Sequence, residues 1–170
     1  MIRDALLQLM APVLSFTAEE AWRIVHPEDA SIFCRTWVDT VPSLPDAAQL
    51  IAKWAHILAV RTVVQKELEA LRQAGRVGSS LQAEVAITAA GDDYAALASL
   101  GDDLRFVLIT SAATVTVGAA LAIRATPSAH IKCERCWHYR ADVGSDAAHA
   151  TICGRCVSNL AGRSEARAFA

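Results

Sequence analysis

The chain has 170 residues and a mass of 18.2 kDa, and 54% of it is hydrophobic, enough to bury one ordinary domain or two small ones; this excludes a disordered tail. A formal net charge of −2 and a sequence pI of about 6.2 exclude binding of nucleic acid by overall charge. The charge is uneven, however. Residues 1–123 hold nine basic and fourteen acidic side chains and residues 124–170 hold seven and four, so a phosphate-binding surface is expected at the C-terminal end.

In chain order, residues 2–11 predict a helix with Ile2, Leu6, Leu9 and Met10 on its packed face, limited by Pro12. Thr17 and Glu20 have capping-box spacing and predict the start of a second helix, which Pro27 stops. Residues 28–45 predict a connecting segment, with Phe33 and Trp37 as packing anchors and Pro42 and Pro45 as breakers. Cys34 lies in an apolar setting that suits a buried free thiol, and an odd count of five cysteines favours a reducing compartment.

From about Asp46 to Ala74 an apolar stripe runs through Leu50, Trp54, Ile57, Arg61, Val64, Leu68 and Leu71 and predicts one long helix. Its charged member, Arg61, is expected to reach from the core edge to a carboxylate, the other reading being a face turned to RNA. Gly75 ends the helix, and Arg76-Val77-Gly78-Ser79-Ser80 reads as a plain connection without P-loop spacing. Leu81, Ala83, Val85 and Ile87 alternate as a strand does. Asp92 to Leu100 reads as a short helix, and strands are expected around 106–110, 114–117 and 120–125. The uncharged run from Phe106 to Ile123 has the lower limit of length for a membrane span. It is read as buried strands because threonine, serine and glycine interrupt it.

The last segment carries the chemistry. Cys133 and Cys136 form one C-x2-C pair, and after sixteen residues Cys153 and Cys156 form another. Two such pairs bring four thiolates into a closed tetrahedron that suits a structural zinc and leaves no position for substrate. Two disulfides or a thioredoxin-like redox pair are the other readings. Lys132, Arg135, Arg140 and Arg155 lie close enough to offset the net −2 charge of a zinc tetrathiolate. Gly154 is expected to supply a positive φ in the second pair, and His138 and His149 are expected to remain outside the ligand set. The fold class is therefore α+β: a partial helical bundle over 1–78, a small α/β unit over 79–126 and a four-cysteine, zinc-ribbon-like module over 127–170.

The segment KCERCWHYRADVGSDAAHATICGRCVSNLAGRSEARAFA resembles the C-terminus of bacterial isoleucyl-tRNA synthetases. LMAPVLSFTAEEAW resembles the late helices of the anticodon-binding bundle shared by the isoleucine, leucine and valine enzymes, and RTVVQKELEALRQAGRVGSSLQAEV resembles the helix and connection that follow in the isoleucine enzyme. The resemblance implies Cys133, Cys136, Cys153 and Cys156 as zinc ligands, with Arg135, Trp137, Arg140 and Arg155 as candidates for contact with the tRNA for isoleucine. It implies a cytoplasmic protein that meets the catalytic domain of the same enzyme in cis and has no membrane partner. The HIGH-like and KMSKS-like ATP-binding signatures of that family do not occur in these residues, so the stretch alone is expected to be inactive. Met1 reads as an internal or truncated start, and isolated residues 1–60 are expected to be poorly packed, with Trp22, Phe33 and Trp37 lacking partners. A stand-alone zinc-containing RNA-binding module is the alternative. The similar finger of formamidopyrimidine-DNA glycosylases is disfavoured, because Ile2 stands where that enzyme's nucleophilic proline would be.

Overall fold

The computed structural model describes residues 2–37 and 44–163. The chain divides into two compact units, residues 1–47 and 48–170. In the first unit, α1 (Ile2–Met10) and α2 (Ser15–Val25) are followed by a single 3-10 turn, Ile32–Cys34. Its core is Leu7, Ala11, Ala18, Trp22 and Ile32. The packed face of α1 is thus Ala5 and Leu7, with Met10 half-buried, whereas Ile2, Leu6 and Leu9 are exposed. The apolar stripe that periodicity picks out on this helix is thus left exposed, and α1 packs chiefly through Leu7 on the other side.

The expected capping box is absent. α1 leads into α2 through Leu14 N–H to Met10 O and Ala18 N–H to Leu14 O, so Thr17 already lies inside the first turn of α2. Glu19 does the joining work instead. Its carboxylate accepts from Ser31 Oγ and Ile32 N, both at 2.9 Å, and from Arg23 Nε at 2.8 Å. These bonds seat Ile32 as the anchor of the connecting segment, while Phe33, Cys34 and Trp37 are exposed. Trp22 is buried and donates through Nε1 to Asp29 Oδ2 at 3.0 Å, so of the three aromatics expected to lack partners only Phe33 and Trp37 are open. Pro42 lies outside the described residues.

The second unit is built on α3 (Ala47–Gln73), which buries Ile57, Val60, Val64 and Leu68 and half-buries Trp54 and Leu71. Arg61 is partly buried beside this stripe and donates through Nε to the carbonyl of Val107 at 2.9 Å, a neutral acceptor rather than the expected carboxylate. Gly75, at φ +68°, closes the helix by directing the Arg76 N–H back to Leu71 O. The following loop is a plain connection: the amides of Gly78 and Ser79 both reach Gln82 Oε1.

β1 (Ala83–Ala89) is central in a sheet of order β2-β1-β3 and buries Ala83, Val85, Ile87 and Ala89, the alternation expected of it. It pairs in parallel with β2 (Ala112–Val117), Val85 opposite Ala113, and antiparallel with β3 (Ala122–Pro127), Val85 opposite Ala125. α4 (Gly91–Ala98) and α5 (Leu104–Leu108) lie between the two parallel strands in sequence. The strand expected over 106–110 is therefore helical. Leu104 and Leu108, one turn apart, enter the core together with Leu97 and Leu100, a face that begins before the uncharged run does. Ile109, at φ +58°, stops the helix and turns the chain so that Ser111 N–H reaches Ala83 O. Among the described residues no helix is long and apolar enough to cross a membrane.

Candidate metal centre

After β3 the chain forms a two-stranded hairpin, β4 (Ile131–Lys132) and β5 (Tyr139–Arg140), and then a loop that ends in α6 (Gly154–Leu160). Cys133 and Cys136 sit at the tip of the hairpin, where Cys133 N donates to His138 O at 2.8 Å and Trp137 N to Cys133 O at 2.9 Å. Cys153 caps α6 and Cys156 lies in its first turn. The four sulfurs fall within 4.8 Å of one another, with Cys133–Cys156 at 3.7 Å and Cys136–Cys153 at 3.8 Å. A tetrahedron with zinc–sulfur bonds of about 2.3 Å has edges of about 3.8 Å, which these two separations match, so the four sulfurs are grouped on the scale that ion requires. The same separations are nearly twice the ~2.05 Å of a disulfide, which removes the disulfide reading.

The thiols differ in acidity for local reasons. Burial pushes Cys133 up, but the backbone N–H groups of Cys136, Cys153 and Arg135 outweigh it and hold this thiol at about 6. Burial dominates at Cys153, which is pushed up to about 12, and raises Cys136 as well. A divalent cation among the sulfurs favours the thiolate at every one of them.

The structure places the other candidates unevenly. Arg135 and Trp137 are exposed; Trp137 is in the left-handed region at φ +66°, with Lys132 Nζ 5.1 Å from its ring centroid. Trp137 therefore carries the positive φ expected of Gly154. Gly154 is small for a different reason: a Cβ there would stand 3.1 Å from Asp142 Oδ2, the atom that also accepts its N–H. Arg140 is partly buried and donates through Nε to Asp142 Oδ1 at 2.9 Å. Arg155 is partly buried, with its guanidinium 5.0 Å from the Phe106 ring. His149 is exposed, and His138 lies outside the four-sulfur group. His138 packs edge-on to Phe106 at 5.7 Å, and burial, then the charges of Arg155, Arg105 and Arg140, lower its pKa.

Four residues that fix this module to the rest of the second unit, Ser111, Gln82, Tyr139 and Phe106, were not singled out by sequence. Ser111 Oγ donates to Leu81 O at 2.5 Å and accepts from Tyr139 N at 2.6 Å, and Gln82 Nε2 donates to the Tyr139 hydroxyl at 2.8 Å. Phe106 carries Arg105 on its ring at 4.7 Å as well as Arg155. The visible signal was slight: a phenylalanine beside an arginine at the edge of an uncharged run.

Comparison with known proteins agrees with this geometry. Residues 131–159 match the family described as "Zinc finger found in FPG and IleRS", and residues 1–87 match "Anticodon-binding domain of tRNA ligase". The chain is 57% identical to the isoleucine–tRNA ligase of Bordetella petrii over 98% of its own length, and 55% and 56% identical to those of Paraburkholderia phytofirmans and Janthinobacterium sp. (strain Marseille) over 99%. It spans 18% of the length of each of these relatives.

Proposed function

The chain belongs to the family of anticodon-binding domains of tRNA ligases, and from that membership we propose that it serves as the tRNA-holding C-terminal portion of an enzyme that attaches isoleucine to its tRNA using ATP. The observation that carries the reading is the similarity to isoleucine–tRNA ligases over 98% of the chain, through both the helical segment and the four-cysteine module. In this reading residues 1–78 contribute to the anticodon-binding bundle, 79–126 join it to the metal module, and 127–170 form that module. Amino-acid activation belongs to a catalytic domain outside these residues, met in cis, and the protein works in the cytoplasm.

Cys133, Cys136, Cys153 and Cys156 hold one zinc, whose contribution is a four-way cross-link rather than a reacting centre. The cross-link holds the hairpin tip, and with it Arg135 and Trp137, in a defined place. Arg135, Arg140 and Arg155 offer guanidiniums to the tRNA backbone, and the exposed Trp137 ring offers a face on which an unpaired base can stack. Binding of an isoleucine tRNA transcript across a salt series tests the reading. Affinity should fall steeply with salt, and Arg135→Gln should reduce the slope by about one unit or less; a flat response would sink it.

A further inference from the structure

A crevice of about 230 Å³ opens where α5 faces the hairpin of the metal module, lined among others by Glu84, Asp102, Arg105, His130, Tyr139 and Arg140. That volume is below the ~300–1,000 Å³ usual for sites that enclose a whole small molecule, so it suits a single chemical group. Two guanidiniums border it from different elements, Arg105 on α5 and Arg140 on β5. The Arg105 side chain is 9% exposed and stacked on Phe106, so its position is fixed by packing. Its carboxylate partner is fixed by nothing comparable: the Asp102 side chain is 77% exposed, three residues earlier in the chain. A guanidinium held inside and paired with a carboxylate standing in solvent keeps its charge balanced only until a better anion arrives. The other acid of the wall, Glu84, is engaged by Ser128 Oγ at 2.6 Å and lies 3.7 Å from His130. Arg140 meets Asp142 through Nε, which does not require its outer nitrogens.

We propose that this crevice is a phosphodiester site for RNA, in which one backbone phosphate displaces the Asp102 carboxylate from Arg105 and lies against Arg140. The planar fork of arginine matches two phosphate oxygens, and the exchange leaves Asp102 in water at little cost. The site rests on the tRNA-binding reading above and adds to it a residue outside the metal module, so that the RNA backbone bridges module and sheet unit.

The test uses the zinc-loaded 170-residue chain and an isoleucine tRNA transcript, with affinity measured by anisotropy across a salt series. Asp102→Asn removes the internal competitor at an exposed position and should tighten binding about two- to fivefold. Arg105→Gln should weaken it about tenfold or more and reduce the salt slope by about one unit. If Arg105→Gln fails to fold, Asp102→Asn and Arg105→Lys decide, the lysine variant keeping the charge but losing the fork and weakening binding severalfold. Steep salt-dependent binding by the unsubstituted chain, unchanged or weakened by Asp102→Asn, overturns the phosphate site alone. Failure of the unsubstituted chain to bind tRNA at all overturns the site together with the reading on which it rests.

Discussion

Glu19 gathers donors from Ile32, Ser31 and Arg23 on one partly buried carboxylate. The Ile32 N–H first, then Arg23 and the Ser31 hydroxyl, hold it below its ordinary 4.5. A folded value lower than the unfolded one means that the stabilisation is complete above about 4.5 and is lost as pH falls from there through the folded value. Acid titration followed by the indole N–H resonance of Trp22 should therefore show loss of the first unit's packing below that point. Glu19→Gln should lower stability at neutral pH and flatten the acid limb. Trp137 is the opposite case, a residue whose backbone is strained and whose ring is open. Left-handed backbone costs a non-glycine residue about 1 kcal/mol, and glycine is free of that cost. Trp137→Gly should leave the melting temperature unchanged or slightly higher and weaken tRNA binding about tenfold through the lost stacking face. A lower melting temperature with unchanged affinity would assign the ring to packing alone.

α3 is held by what it buries, and the cost of each truncation follows its depth. Ile57→Ala leaves a hole against the sheet and should cost about 2–5 kcal/mol by denaturant unfolding, whereas Leu58→Ala, on the exposed side of the same turn, should stay within about 0.5 kcal/mol. Elements with one unambiguous signal were legible in sequence. β1 alternates strictly, Gly75 stops α3 where the apolar stripe ends, and the spacing of four cysteines specifies a tetrahedral cluster before any coordinate is known. Elements whose signal is degenerate, or points to the wrong face, were not. On α1 the periodicity points to Ile2, Leu6 and Leu9, but the buried face is the one that meets α2 and Ile32. α5 begins before the uncharged run and crosses its start, a stretch that by itself fits a helix or a strand, and the choice is made by Leu104 and Leu108 packing together. Arg105 was hidden because its neighbours in the crevice, Asp102 and Phe106 excepted, come from distant parts of the chain.

Over the second unit as a whole, two kinds of core carry the fold. The sheet unit has an apolar core running from Ile57 to Leu108, while the buried cluster of the metal module is Cys133, Cys153 and Cys156, with, among the described residues, only Val143, Ile152 and Cys136 as apolar neighbours packed around them. A cluster made mostly of thiols has little apolar surface to bury, so the metal supplies most of what holds it. Chelation should therefore release hydrogen-exchange protection at Cys133, Trp137 and Gly144 while amides in β1 and β3 keep theirs. Simultaneous loss at both would show that the two cores melt as one. The placement of Ser111 and Gln82 ahead of Tyr139 in the chain has a consequence for biosynthesis. The seat that receives the hairpin is translated before the hairpin is, and the first and last ligands, Cys133 and Cys156, are 23 positions apart. At ribosomal speeds of about 5–20 residues per second, each new chain presents an incomplete set of thiols for about 1 to 5 seconds. In that interval oxidation and metal capture compete for the same sulfurs, and a seat already formed favours capture by holding the first pair where the second will arrive.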